Sequence, residues 1–144
     1  MSKYLIVAYQ TAGGRSLRKS IEELGRSDPG AEFALLVPAT HTKNLFVWSE
    51  GESRALAQER AEKAAGQLRE SGINVIEVRV AEPDPFAAVT NELRRYSHYD
   101  TIIVSTFPAG ISRWLRLDLP ARLERSLGLP VIHVIVDPAE APTD

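Results

Sequence analysis

The sequence predicts an α/β domain: a three-layer open sandwich whose five-stranded parallel sheet carries helices on both faces. Three observations predict it. Short apolar runs alternate with stretches of helical periodicity along the chain. The two longest connections, Pro38–Ser49 and Thr106–Leu117, both begin where a strand pattern ends. The 144 residues hold no internal repeat, linker or low-complexity segment, and that length is usual for one domain. One domain over 1–138 is expected, with 139–144 as a frayed tail.

The elements follow in order. Tyr4–Ala8 is a short apolar run and reads as a buried strand. Arg15–Leu24 reads as the first helix, with Leu17, Ile21 and Leu24 on one face and Gly25 as its stop. Phe33–Val37 is the second strand, halted by Pro38. Ser49-Glu50-Gly51-Glu52 has the form of a capping box. The long second helix behind it runs to Ser71-Gly72, with Leu56, Ala61, Ala64, Ala65 and Leu68 as its buried stripe. Ile73–Val80 alternates apolar and polar as a third strand. Asp84-Pro85 supplies a cap and a first-position proline to a third helix, whose inner face is Phe86, Val89 and Leu93. Thr101–Val104 is the fourth strand. Asp118–Leu127 is the fourth helix, ended by Gly128, and Val131–Val136 is the fifth strand. From Asp137 onward the chain reads as tail.

Composition narrows the function classes. Net charge is −2, so no global field favours nucleic acid or anionic membrane. The chain has no cysteine, which excludes disulfides, thiolate chemistry and sulfur-ligated zinc. No apolar run approaches the roughly 18 residues of a membrane span. The first residues enter a strand pattern at once, without a signal-peptide layout. A cytoplasmic location is the expectation. His41, His98 and His133 are scattered and share no metal-ligand spacing. Ser105 and Thr106 end a strand without the G-x-S-x-G elbow of a nucleophile. Glu82 and Asp84 read as helix-capping residues, and the mixed-sign face of the second helix reads as solvated. No catalytic residue and no metal ligand is assigned.

The layout resembles the universal stress protein family over nearly the whole chain. The resemblance rests on Leu5-Ile6-Val7-Ala8 as first strand and on the long helix before the third strand. It rests also on "HYDTIIVST" (His98–Thr106) and "RLERSLGLPVIHVIV" (Arg122–Val136). It implies the strand order 3-2-1-4-5, a role in stress responses, and a homodimer through the last strand, here Val131, His133 and Ile135. Members that bind ATP carry G-x-x-G, nine residues, then G-S or G-T. On this chain those positions are Ser105, Pro108, Asp118 and Leu119. The family's aspartate after the first strand corresponds to Gln10.

These departures bear on phosphate binding. Glycine lets backbone N–H groups turn toward an anion, and proline removes a donor. Asp118 is expected to cap the last helix with its carboxylate, filling the positive end that a phosphate needs. The binding candidates are Gln10, Thr11, Ser105, Thr106, Gly110 and Arg113. Ser112, Arg113, Trp114 and Arg116 form either a basic, aromatic lip over the strand ends or ordinary surface and core. "TAGGRS" (Thr11–Ser16) is either an anion-binding turn at a helix start or a plain connection. Leu45, Phe46, Val47 and Trp48 make an apolar loop that is a lid or contact surface, a segment packed inward, or a resumed strand.

The first functional reading is a non-enzymatic, universal stress protein-like domain that does not hold ATP in the family's way and needs no cofactor. It would act through protein contacts or a small ligand. The alternative is an ATP or other adenine nucleotide site with a remodelled phosphate loop. An enzyme is the weakest reading, because no base and nucleophile pair is visible.

Overall fold

A computed structural model describes residues 2–39, 50–110 and 112–140. The order is β1 (Lys3–Val7), α1 (Arg15–Ser27), β2 (Glu32–Pro38), α2 (Glu50–Glu70), β3 (Val75–Ala81), α3 (Pro85–Arg95), β4 (Thr101–Thr106), α4 (Arg113–Arg116), α5 (Leu119–Leu127) and β5 (Val131–Ile135). All described strand pairs are parallel, in the order β3-β2-β1-β4-β5. The expected α/β architecture and strand order are therefore present.

Strand alternation divides the core in two. Ile6, Phe33, Leu35, Val37, Ile103 and Val134 face α1 and α2. Leu5, Val7, Leu36, Ile102 and Val104 face α3 and α5, where Val89, Leu119 and Leu123 meet them. The alanine stripe of α2 is buried at Ala57, Ala61, Ala64 and Ala65, which lets that helix lie close to the sheet. The Asp84 carboxylate accepts the Phe86 N–H at 3.0 Å and caps α3 as expected. Glu82 accepts the Asn91 side-chain amide.

Several boundaries differ from expectation for identifiable reasons. Helix α1 continues through Gly25 to Ser27, because Gly25 packs under Ile73 instead of adopting a left-handed stop. Its ideal Cβ would lie 3.0 Å from Ile73 Cδ1. Strand β3 starts at Val75, and its register against β2 shifts between Phe33 and Ala34. The adjacent apolar pair Val75-Ile76 marks that shift, and Ile76 is left 41% exposed. Strand β4 continues to Thr106, so Ser105 and Thr106 lie within the ladder, paired with Val134 and Ile135. The connection after β4 contains the one-turn helix α4, started by the Ser112 hydroxyl accepting the Leu115 N–H at 3.2 Å. The last helix is thus the fifth. Pro138–Glu140, expected as tail, forms a 3₁₀ turn on which the Asp137 carboxylate accepts the Ala139 N–H. His41, the Leu45–Trp48 apolar loop and the Ser49 cap lie outside the described residues, as do 141–144.

Candidate functional site at the carboxyl edge of the sheet

In an open parallel sheet the crevice opens where successive strands run outward in opposite directions. Here that point lies between β1 and β4. The chain leaving β1 turns back at once: the Ala12 N–H reaches the Tyr9 carbonyl and the Gly14 N–H the Thr11 carbonyl. The turn crosses over β4. The Thr11 hydroxyl, 3% exposed, donates to the Ser105 carbonyl at 3.1 Å. This single bond ties the two exits together. It leaves Gln10 exposed at the tip.

Ser105 is 1% exposed, and its hydroxyl has no hydrogen-bond partner among the described residues. Ile103, two residues earlier, faces α1 and α2, so the Ser105 side chain stands on that side too. A buried hydroxyl without a partner costs roughly 1–3 kcal/mol. A group of that kind calls for a partner, whether water, ion or ligand.

Thr106 faces the other way. Its hydroxyl lies 2.8 Å from the Phe107 carbonyl and 2.8 Å from His133 Nε2. A hydroxyl has one proton, so Thr106 donates to one of these two partners, and the His133 tautomer decides which. The two contacts hold the Thr106 hydroxyl between Phe107 and the edge strand. His133 stays exposed, but burial of its inner part lowers its pKa below the ordinary histidine value.

Gly110 is exposed, with φ of 94°, a conformation that suits glycine. Arg113 opens α4. Trp114 is partly buried and packs against both halves of the core, so it bridges the edge from below instead of forming an open lip. The structure thus brings Gln10, Thr11, Ser105 and Thr106 to one edge. Gly110 and Arg113 lie in the connection that follows β4.

Asp118 corrects the expectation made for it. It occupies the cap position of α5 but sits in the left-handed region, with φ of 56° and ψ of 39°. From there its side chain makes no bond to the helix start. The carboxylate lies 3.5 Å from Arg125 Nη2, both groups mostly exposed. The two-residue turn Leu117-Asp118 between consecutive helices forces this conformation, which aspartate tolerates better than most residues. The helix end is not filled by a carboxylate. Proline still depletes its donors, since Pro120 lies in the first turn of α5.

One polar cluster away from this edge escaped the sequence reading. Glu92 on α3 is 4% exposed. It accepts from the Tyr99 hydroxyl at 2.8 Å and from Arg95 at 3.0 Å, and Arg79 Nε lies 3.3 Å away. Glu77 joins Arg79 and Arg95 at 2.8 and 2.7 Å, and those guanidinium groups hold its carboxyl below the ordinary range. Burial and the Glu92 carboxylate push the Tyr99 hydroxyl far upward. Only the i, i+3 spacing of Glu92 and Arg95 was visible in the sequence. Among the described residues no group of three or more metal-ligating side chains occurs, and no helix is long and apolar enough to cross a membrane.

No protein-family model and no curated protein matches the chain. Solved structures do. A universal stress protein family protein from Arabidopsis thaliana with AMP bound aligns over 100% of this chain and 97% of its own, with a TM-score of 0.66 and 16% identity. A universal stress protein from Archaeoglobus fulgidus in complex with dAMP aligns over 93% and 97%, at 0.63 and 13%. A universal stress protein in complex with cAMP aligns over 94% and 98%, at 0.61 and 15%. With more than nine-tenths of both chains aligned in each case and TM-scores of 0.61–0.66, the chain has the fold of the universal stress proteins.

Proposed function

We propose that this chain is a non-enzymatic regulatory domain of the cytoplasmic stress response, and that its β1–β4 edge binds an adenine nucleotide with a single phosphate. The observation that carries this reading is the junction of the two strand exits. Thr11 bridges to the Ser105 carbonyl, Gln10 stays exposed, and the buried Ser105 hydroxyl has no partner among the described residues. Gln10, Thr11, Ser105, Thr106, Gly110 and Arg113 are assigned to ligand contact. The three structures of the same fold described above hold AMP, dAMP or cAMP, each with one phosphate. A triphosphate chain needs more backbone donors than one phosphate does. Pro108 stands where the ATP-binding pattern has glycine, and Pro120 removes a further N–H at α5.

Calorimetric titration with AMP, cAMP, ADP and ATP tests the reading. AMP or cAMP binds saturably and ATP binds more weakly. Tighter binding of ATP, or no heat with any adenine nucleotide, would overturn it. We also place a homodimer seam along the edge strand β5, where Val131, His133 and Ile135 share a face and Ile135 is 53% exposed. Sedimentation should give a dimer that Ile135→Asp dissociates. A monomeric wild type at micromolar concentration removes the seam.

A further inference from the structure

We propose that a second copy pairs antiparallel with β5 about a two-fold axis level with His133, so that each His133 faces its counterpart and protonation of the two parts the dimer. This rests on the β5 seam placed above. Strand β5 ends the sheet, with β4 on one side and, among the described residues, no strand on the other. The Val136 N–H donates to the Thr106 carbonyl at 2.8 Å, and the Pro130 carbonyl accepts the Ile102 N–H at 3.0 Å. Backbone groups alternate along a strand, so even-numbered residues here turn theirs toward β4. Val131, His133 and Ile135 turn theirs outward, as a template that another strand can join. The register of that joining follows from the strand's length. Across a two-fold axis that continues the sheet, facing side chains share one face, so the axis lies level with a single residue. Level with His133, it sets Val131 against the partner's Ile135 and gives all three outward residues a backbone partner within strand. Level with Ile132 or Val134, it leaves one of the three facing chain outside the strand. The same register covers Ile135, which is 53% exposed.

His133 then stands opposite itself, with the two Cα atoms about 5.5 Å apart. Neutral imidazoles tolerate that distance, whereas like charges directly opposite destabilise a strand pair. The surrounding elements do not compensate the charge. From β4 the ring meets the neutral Thr106 hydroxyl at 2.8 Å. On its own strand the flanking residues of that face are Val131 and Ile135, and Asp137 beyond them caps the following turn. Helix α5 turns Leu119 and Leu123 to that side of the sheet. Of its charged residues, Arg122 lies over the Phe86 ring, Arg125 pairs with Asp118, and Glu124 is exposed. Helix α1 packs on the opposite face, where Gly14 meets Val136. Burial lowers the His133 pKa, and no neighbouring charge adds to that. Pairing favours the neutral ring, so dimer affinity is full at pH 7.5 and falls as pH drops through the histidine range.

Sedimentation equilibrium of the full chain tests this in two ways. Wild-type dimer affinity falls about tenfold between pH 7.5 and 5.5, while that of His133→Gln changes less than about twofold. At pH 7.5, His133→Lys and His133→Asp each dimerise about tenfold more weakly than wild type. An equimolar mixture of the two regains the wild-type affinity, because only a residue that faces itself lets the opposite charges meet. Circular dichroism checks that each variant is folded. A mixture no tighter than the separate variants overturns the facing pair, and a wild-type dimer indifferent to pH overturns its opening by protonation; in both cases the seam stands if Ile135→Asp still dissociates the dimer. A wild type that is monomeric at micromolar concentration at pH 7.5 overturns the seam and this proposal together.

Discussion

Replacing Glu92 by alanine removes the acceptor at the centre of the α3–β3 polar cluster. The Tyr99 hydroxyl, in a residue 4% exposed, then has no carboxylate to bond, at a cost of roughly 1–3 kcal/mol. Breaking a fully buried ion pair from one side costs roughly 3–5 kcal/mol. Here the Arg79 and Arg95 side chains are 40% and 43% exposed, so water recovers them and that contribution falls to about 1 kcal/mol. The sum is about 2–4 kcal/mol of lost stability. With a urea m-value of about 2 kcal/mol/M, the midpoint falls by about 1–2 M. Tyr99→Phe alone costs about 1 kcal/mol, and the double variant loses less than the two single losses added, with a coupling of about 1–2 kcal/mol. Urea unfolding followed by circular dichroism measures all three. A Glu92→Ala midpoint within experimental error of wild type, or strict additivity with Tyr99→Phe, refutes the reasoning.

Three further outcomes follow from the packing. Gly14→Ala destabilises by about 1–3 kcal/mol through overpacking on Val136, and Val136→Ala in the same chain recovers part of it; thermal unfolding checks both. Burial lowers the folded-state pKa of His133 below its unfolded value near 6.5, so its neutral form is favoured by folding. Stability is then complete above about pH 6.5 and declines as pH falls through the folded value; the urea midpoint at pH 7.5 and 5.5 shows this loss in wild type and less of it in His133→Gln. Asp118→Gly relieves a left-handed residue at the expense of an exposed ion pair, a net gain of up to about 1 kcal/mol, whereas a loss would mean that the Arg125 contact dominates.

The layers of the fold were legible because periodicity reports burial, and burial follows from the strand and helix repeats themselves. Leu17, Ile21, Val89, Ala61, Ala64, Ala65 and Leu68 fall on the faces that the spacing indicates, whereas Leu56 is half-buried and Ala57 takes the buried place beside it. What the sequence misread were tertiary effects. Gly25 reads as a stop but is held helical by the space under Ile73. Asp118 reads as a capping carboxylate, yet a tight turn between two helices sets a backbone conformation that points its side chain elsewhere. The site was partly legible: Gln10, Thr11, Ser105 and Thr106 do meet at one edge. Their roles were not, because the Thr11–Ser105 bond joins residues 94 apart and the Ser105 orphan exists only once β4 is paired with β5. Glu92 was invisible for the same reason, since its burial depends on Arg79 and Tyr99 arriving from other elements.

A crystal structure of the protein grown with AMP tests the central claim most directly. The account predicts the adenine and ribose at the exits of β1 and β4 beside Gln10, with the single phosphate within hydrogen-bond reach of Ser105, Thr106, Gly110 or Arg113. A nucleotide bound away from the β1–β4 edge, or an edge that stays without AMP at saturating concentration, contradicts it.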